Sequence, residues 1–250
     1  MKIINRLFRQ VTRGLGIVGL LLLGLAVLYL RFPMIDGLAQ QAWIKRWSIW
    51  VCRTLGLKMS VQGQIDASLN SALIVANHSS WIDIVVINSI QPSAFIAKSE
   101  IEKWPIVGLL VARSGTLFIE RGKRHAVHKV LQDAIDKLRQ QRFVAVFPEG
   151  TTNDGTGLLP FHGNLMEAAI RAKVPVQPLA IGYRNSTGTL AQSVEFIGDT
   201  TFVASMLRVL GDDDLHVKVT IAAPITTGEK TRHELSEESK VVIAAALGFE

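Results

Sequence analysis

The amino-acid sequence predicts an α/β fold: a mixed, largely parallel sheet flanked by helices, with an N-terminal membrane-embedded helical hairpin. From residue 70, strand-like apolar runs recur along the chain, and helix patterns lie between some of them. Before residue 58 lie two hydrophobic segments joined by a predicted turn. We therefore divide the chain into membrane-anchoring helices over residues 1–58 and a second domain over residues 59–250.

The first hydrophobic segment is an uncharged run over residues 14–30, flanked by Arg13 and Arg31. As a helix its 17 residues extend about 25 Å, slightly short of a bilayer core of about 30 Å. A signal peptide is the alternative, but residues 31–34, Arg-Phe-Pro-Met, form a poor cleavage site. We expect the segment to be retained as a membrane anchor.

The second segment, residues 38–57, has the spacing of a helix with one aromatic face. That face carries Trp43, Trp47, Trp50, Thr54 and Leu57. Tryptophan beside Lys and Arg favours the membrane interface, although the same stripe would suit a helix packed in a protein core. We predict a hairpin that dips into one leaflet, with everything after about residue 58 on the side where the chain began.

The basic residues are concentrated beside the hydrophobic segments. Residues 1–60 hold nine of the 27 Lys and Arg but one of the 21 Asp and Glu, so 18 basic and 20 acidic residues follow. This distribution suits anionic lipid and argues against a nucleic-acid partner, because the chain after residue 60 has a net charge of −2. The single cysteine, Cys52, excludes an internal disulfide.

Strands and helices alternate in the second domain. The predicted strands are residues 72–76, 94–97, 116–119, 143–147, 176–182 and 215–221, the last with one wet face. The predicted helices are residues 82–90, 127–138, 166–173 and 234–247.

His78 lies between a strand and a helix, in the stretch NHSSWID over residues 77–83. In open α/β sheets, ligands bind at the carboxyl ends of strands. A carboxylate such as Asp83 can fix the tautomer of an imidazole and offset its charge, which suits general-base catalysis. Two other interpretations stay open: Ser80 and Asp83 form a capping-box pattern, and a lone histidine is often structural.

Three further stretches place polar residues where strands end or loops open. They are GTLFIER over residues 115–121, FPEGT over residues 147–151 and VPVQPLAI over residues 174–181. Together with NHSSWID, these blocks resemble in order and separation the four motifs of the glycerolipid acyltransferase family. The type members of that family are bacterial 1-acylglycerol-3-phosphate acyltransferases. The resemblance covers about residues 65–225.

The resemblance implies a membrane-bound enzyme of lipid synthesis. It would move a fatty acyl group from an acyl thioester, either acyl-acyl carrier protein or acyl-CoA, to the free hydroxyl of 1-acylglycerol-3-phosphate, giving phosphatidate. It implies no cofactor or metal besides that co-substrate. The expected location is a bacterial-type inner membrane, with residues 59–250 as an acyltransferase domain on the cytoplasmic face.

The resemblance assigns the chemistry to His78 and Asp83. His78 would take the proton from the acceptor hydroxyl, and Asp83 would orient His78 and compensate its charge. No covalent acyl-enzyme is needed because the thioester is already activated. The alternative of a serine nucleophile at Ser79 or Ser80 lacks the G-x-S-x-G turn.

Substrate binding is assigned to residues of the other motifs. Arg121 resembles the family's phosphate-binding arginine, and Lys98 is a candidate second cation. Glu149, Gly150 and Thr151 match the block that lines the acceptor site. The alternatives are that Arg121 and Lys98 lie in solvent and that Glu149 only holds its loop.

The third motif departs from the pattern of phosphatidate-forming members. Residues 149–153 are EGTTN, where Glu-Gly-Thr-Arg-Ser is frequent, and residues 162–164 are HGN, where Lys-x-Gly is frequent. The missing arginine removes one phosphate contact. Acyltransferases acting on lyso-ornithine lipid, which has no phosphate, resemble this variant block and are the alternative. A non-catalytic lipid-binding membrane protein is the alternative from a different class.

Overall fold

The structure is a computed structural model that describes residues 2–120 and 124–249. Its helices are α1 Lys2–Leu30, α2 Gly37–Leu55, α3 Ile82–Ile90, α4 Val107–Arg113, α5 Arg124–Arg139, α6 Met166–Ala172, α7 Phe202–Gly211 and α8 Arg232–Leu247. Its strands are β1 Lys58–Gln62, β2 Leu73–Ala76, β3 Ser93–Lys98, β4 Leu117–Ile119, β5 Phe143–Val146, β6 Val176–Arg184 and β7 His216–Ile221.

The strands form one sheet in the order β1-β7-β6-β2-β5-β3-β4. Neighbouring strands are parallel except β6 and β7, which pair antiparallel. This confirms the predicted α/β fold with a mixed, largely parallel sheet. β2 lies in the middle with all four of its residues buried, so the loop after it leaves the centre of the sheet's carboxyl edge.

The sheet separates two hydrophobic clusters. On one face, apolar side chains of α2, α3 and α7 pack against the strands. On the other face, α5, α6 and α8 supply the covering side chains. The domain therefore has three layers, and the N-terminal hairpin covers the same face as the helix that follows β2.

Three elements were not predicted from the sequence. β1 is an edge strand with four exposed residues and no apolar run, and its register with β7 pairs Lys58 with His216. α4 has seven residues, too few for a periodic signal. α7 has ten residues and exposes apolar side chains as well as burying them, with Val203 66% and Leu207 47% exposed.

α1 is longer than the uncharged run that predicted it. Its 29 residues correspond to about 44 Å of helix, and the segment Ile3–Met34 is long and apolar enough to cross a membrane by length and composition. Near its start, Arg9 Nε and Nη2 donate to the Gly211 carbonyl at 3.2 and 3.1 Å. These hydrogen bonds connect the beginning of the hairpin to the end of α7.

The second helix of the hairpin ends earlier than predicted. Gly56 caps α2 with φ of 81°, a conformation that favours glycine, so Leu57 lies beyond the helix and is not part of its face. Trp47 Nε1 donates to the Leu20 carbonyl at 2.8 Å, and the rings of Trp43 and Trp50 meet edge to face, 5.7 Å apart. All three tryptophans are partly buried, so this face contacts the protein, and its predicted place at the membrane interface stays a prediction.

Candidate active site

The loop between β2 and α3 brings His78 and Asp83 together. His78 Nδ1 lies 2.8 Å from Asp83 Oδ2. The Asp83 side chain is fully buried and the His78 side chain is 18% exposed. Just before them, the Asn77 amide fixes the end of β2 to β6, because it donates to the Ile181 carbonyl at 2.9 Å and accepts from the Ile181 N–H at 2.8 Å.

Asp83 contacts both His78 and the backbone of the loop that leads into α3. Its Oδ2 accepts the backbone N–H groups of Ser79 and Ser80, each at 2.9 Å. The Ser80 hydroxyl is buried and has no hydrogen-bond partner among residues 2–120 and 124–249, so the reciprocal capping box does not form. The other carboxylate oxygen, Oδ1, accepts the Tyr183 hydroxyl at 2.5 Å.

The face of the His78 ring packs on Phe147. The two ring centres are 4.0 Å apart and the planes are nearly parallel, at 9°. With Nδ1 directed at Asp83, Nε2 is the nitrogen available to a substrate hydroxyl. The ring is thus fixed by a carboxylate at its edge and an aromatic side chain on its face.

Glu149 makes its contacts with the protein. Oε1 accepts the His78 backbone N–H at 2.7 Å, and Oε2 accepts the Leu159 N–H at 2.9 Å and the Asn153 side-chain amide. Burial raises the pKa of Glu149, and these hydrogen bonds partly oppose that rise. These contacts agree with the alternative in which Glu149 stabilises a loop instead of binding substrate. They also stabilise the loop that carries His78.

Asn153 connects the two loops further. Its Oδ1 accepts the Gly155 N–H at 2.7 Å and the Ser79 hydroxyl at 3.2 Å, and its backbone N–H donates to the His78 carbonyl at 2.9 Å. His78 is therefore held through both its backbone N–H and its backbone carbonyl. Asn153 is buried, and its polar atoms support the site through hydrogen bonds to the two loops.

His78 faces an open cavity of about 720 Å³ lined by α1, α2, α3, α4, α7 and the carboxyl ends of the strands. Its walls are mainly apolar and include Trp47, Trp81 and Phe202. The lining also includes four of the predicted site residues: His78, Lys98, Gly150 and Thr151. The cavity is of the size and character of a binding site for a largely apolar ligand.

The predicted site residues thus fall into three groups. His78, Lys98, Gly150 and Thr151 line the cavity, and Gly150 has a positive φ of 69° that favours glycine. Asp83 and Glu149 lie behind the surface and act on His78 through hydrogen bonds. Arg121 lies outside the described residues, so its predicted role stays a prediction.

Sequence reasoning missed three residues of the site. Tyr183 follows the apolar run of the fourth motif, which gave no sign of a polar contact. Asn153 was noticed only as a departure from the third motif, and Phe147 only as part of that motif. The available signal for all three was that each lies in or next to a motif in the sequence. Such a position does not reveal a contact between distant parts of the chain.

Comparison with known proteins gives three concordant matches. The model of the Acyltransferase family matches residues 58–182. Lyso-ornithine lipid O-acyltransferase of Pseudomonas aeruginosa is 34% identical over 247 residues, which cover 96% of this chain and 93% of that protein. A 1-acyl-sn-glycerol-3-phosphate acyltransferase of Neisseria gonorrhoeae is 32% identical over 179 residues, covering 71% of this chain and 70% of that protein.

A solved structure has the same fold over nearly its whole length. The crystal structure of the 1-acyl-sn-glycerophosphate (LPA) acyltransferase PlsC from Thermotoga maritima superposes with a TM-score of 0.75. It is 25% identical in sequence, and the match covers 99% of this chain and 97% of that one. The predicted resemblance is thereby confirmed. The chain belongs to the acyltransferase family and is a PlsC-like acyltransferase enzyme.

Proposed function

We propose that this enzyme moves a fatty acyl group from an acyl thioester, carried by acyl carrier protein or coenzyme A, to the free hydroxyl of a lysolipid. The observation that carries the proposal is the His78–Asp83 pair, 2.8 Å apart, at the wall of an apolar cavity of about 720 Å³. An apolar cavity suits acyl chains, and the pair suits deprotonation of a hydroxyl.

The reaction follows from the position of the imidazole. Nε2 of His78 takes the hydroxyl proton while the lysolipid oxygen attacks the thioester carbonyl carbon. The new C–O bond forms, the C–S bond breaks, and the proton passes from His78 to the departing thiolate. Asp83 stabilises the positive charge on His78 between these two proton transfers.

Two acceptors compete, and the observations favour lyso-ornithine lipid. Thr152 stands where phosphatidate-forming members frequently have arginine, and its hydroxyl donates to the Phe196 carbonyl. Among the described charged residues lining the cavity are Lys98 and Glu100, a pair of opposite signs that suits a headgroup with both an amine and a carboxylate. The similarity to a lyso-ornithine lipid O-acyltransferase over almost the full chain supports the same choice.

1-Acylglycerol-3-phosphate, the acceptor expected from the motifs, is the second candidate. The motif GTLFIER ends in Arg121, and a guanidinium group suits a phosphate through its paired donors. Lys98 would add a second positive charge to that site. The 1-acyl-sn-glycerol-3-phosphate acyltransferase of Neisseria gonorrhoeae also matches this chain at 32% identity.

The deciding experiment offers both acceptors in parallel to the purified protein with a radiolabelled acyl thioester. We expect acylated ornithine lipid to form with the higher kcat/KM. Preferential formation of phosphatidate would reverse the choice of acceptor. Transfer to neither acceptor, with either thioester donor, would overturn lysolipid acylation itself.

Replacement of Arg121 tests phosphate recognition separately. Arg121→Ala should raise KM for 1-acylglycerol-3-phosphate by about 10- to 100-fold, the loss expected for a charge-assisted hydrogen bond. KM for lyso-ornithine lipid should change little. Arg171→Ala, an exposed arginine of α6, is the matched control. An equal rise for both acceptors would show that Arg121 does not recognise phosphate.

The hairpin is proposed to lie in one leaflet of a bacterial inner membrane, with the acyltransferase domain on the cytoplasmic face. Two observations support this arrangement. Exposed apolar residues form a stripe along α1: Ile4, Phe8, Val11, Leu15, Val18 and Leu22. The start of α1 contacts α7, and the end of α2 leads directly into β1, so both ends of the hairpin meet the domain.

Protease accessibility in oriented vesicles measures this topology. The domain should be digested in inside-out inner-membrane vesicles and protected in right-side-out ones, because the hairpin returns the chain to its starting side. A periplasmic marker protein with the reverse pattern provides the control for vesicle orientation. Digestion of the domain in right-side-out vesicles would contradict the hairpin.

A further inference from the structure

Tyr183 joins the site from a distant part of the chain. It lies on β6, is 4% exposed, and donates its hydroxyl to Asp83 Oδ1 at 2.5 Å. The other oxygen of the same carboxylate faces His78 Nδ1 at 2.8 Å. One carboxylate therefore bridges a phenol and an imidazole.

We propose that Tyr183 is a positioning residue for the acyl transfer: its hydroxyl holds the Asp83 carboxylate so that Oδ2 stays directed at His78 Nδ1. This inference rests on the proposed function, because it assumes that His78 is the base. Tyr183 acts through Asp83 and needs no contact with either substrate.

The Tyr183 hydroxyl restrains the Asp83 carboxylate through its second oxygen, Oδ1. The terminal torsion of an aspartate is broad and two-fold, so its two oxygens can move away from a given partner at small cost. Asp83 is fully buried, and solvent is not at hand to satisfy Oδ1 in place of a protein donor. The Tyr183 hydroxyl satisfies Oδ1 and leaves Oδ2 to His78 and the N–H groups of Ser79 and Ser80.

Tyr183 is suited to be a constant donor. Burial, and then the charge of Asp83, raise the pKa of the phenol well above its ordinary value, so it keeps its proton at physiological pH. Cys52 of α2 is the other titratable group that acts on it, and burial raises the pKa of that thiol to about 12. The thiol is therefore neutral and adds no competing charge.

The position of Tyr183 is set by the sheet. β6 is hydrogen-bonded to β2 on one side and to β7 on the other, and Tyr183 is in register with Val217 of β7. Its carbonyl also accepts the Ala191 N–H at 3.2 Å. The hydroxyl thus projects from a fixed backbone at a fixed distance from the loop that carries Asp83.

Replacement of the hydroxyl alone tests the proposal. Tyr183→Phe should lower kcat about tenfold, a size typical for loss of a group that orients another, with KM for the lysolipid changed by less than about twofold. Tyr29→Phe, at the other of the chain's two tyrosines, is the matched control and should leave kcat unchanged. Unchanged kcat in Tyr183→Phe would overturn the proposal.

A double-mutant cycle separates positioning from general destabilisation. If Tyr183 acts through Asp83, the effect of Tyr183→Phe should largely disappear in an Asp83→Asn background. Full additivity of the two losses in kcat would overturn the positioning role. The imidazole Nδ1 proton of His78, observed by NMR on protein with 15N-labelled histidine, should also shift in Tyr183→Phe and not in Tyr29→Phe.

A substitution that preserves the side chain's shape guards against misfolding of the phenylalanine variant. 3-Fluorotyrosine incorporated into Tyr29→Phe protein occupies position 183 alone and strengthens the phenol as a donor. The His78 Nδ1 resonance should move while thermal stability stays unchanged, and an unmoved resonance would overturn the proposal. Turnover by His78→Ala would instead overturn the proposed function, so the two failures are distinguishable.

Discussion

His78→Ala should lower kcat by about 10²- to 10⁴-fold without unfolding the protein. A general base contributes about 10²- to 10⁴-fold, and alanine supplies no acceptor for the hydroxyl proton. The fold should persist because Asp83 keeps the Ser79 and Ser80 N–H groups and the Tyr183 hydroxyl as partners after the imidazole is removed. The measurement is kcat with radiolabelled thioester, alongside thermal unfolding.

A matched control comes from the opposite face of the sheet. His233 is an exposed residue of α8, and His233→Ala should leave both kcat and unfolding temperature near their wild-type values. Turnover retained by His78→Ala would show that another group accepts the proton. If the alanine variant aggregates, His78→Gln repeats the test with a side chain that retains an amide donor for Asp83.

Glu149→Gln should lower the free energy of unfolding by about 2–3 kcal/mol, the cost of leaving buried donors unsatisfied. Both carboxylate oxygens accept donors: the His78 N–H on Oε1, and the Leu159 N–H with the Asn153 amide on Oε2. A glutamine has one oxygen, so its NH₂ group must face a donor in either orientation. Because one of those donors is the His78 backbone, kcat should also fall.

Denaturant unfolding of wild type and Glu149→Gln measures the loss. Glu237→Gln, at an exposed glutamate of α8, is the control and should change stability by less than about 0.5 kcal/mol. Wild-type stability in Glu149→Gln would contradict the hydrogen-bond arrangement. It would return Glu149 to the substrate-binding role that the motif predicts.

The same variant has a signature in pH dependence. Because the pKa of Glu149 is raised in the folded state, the folded protein binds the proton more tightly than the unfolded chain. This residue's contribution to stability should therefore decrease as pH rises from the ordinary glutamate pKa of about 4.3 through the higher folded value. The measurement is the free energy of unfolding as a function of pH for wild type and for Glu149→Gln. The difference, wild type minus variant, should fall with rising pH over this range, and a rise would contradict the raised pKa.

The sequence was sufficient to predict most of the sheet. β2 and β5 are continuous apolar runs, and β6 is mostly apolar, because they are buried on both faces, and such runs are visible without knowledge of the fold. β1 carries no such run because it is an exposed edge strand. The tryptophan face of α2 was predicted, but its orientation was decided by packing, since Trp47 bonds to the Leu20 carbonyl.

Local sequence also determined the association of His78 with Asp83, because a short strand-loop-helix segment brings the two side chains together. Only the tertiary structure decided their support. Tyr183 is 100 positions from Asp83 and Glu149 is 71 from His78. These contacts exist because β6 and β5 flank β2 in the sheet. Hydrophobic periodicity and turn-forming residues act over a few positions, so they can be recognised in the sequence. The order of strands in the sheet arises from packing of the whole chain, so it cannot.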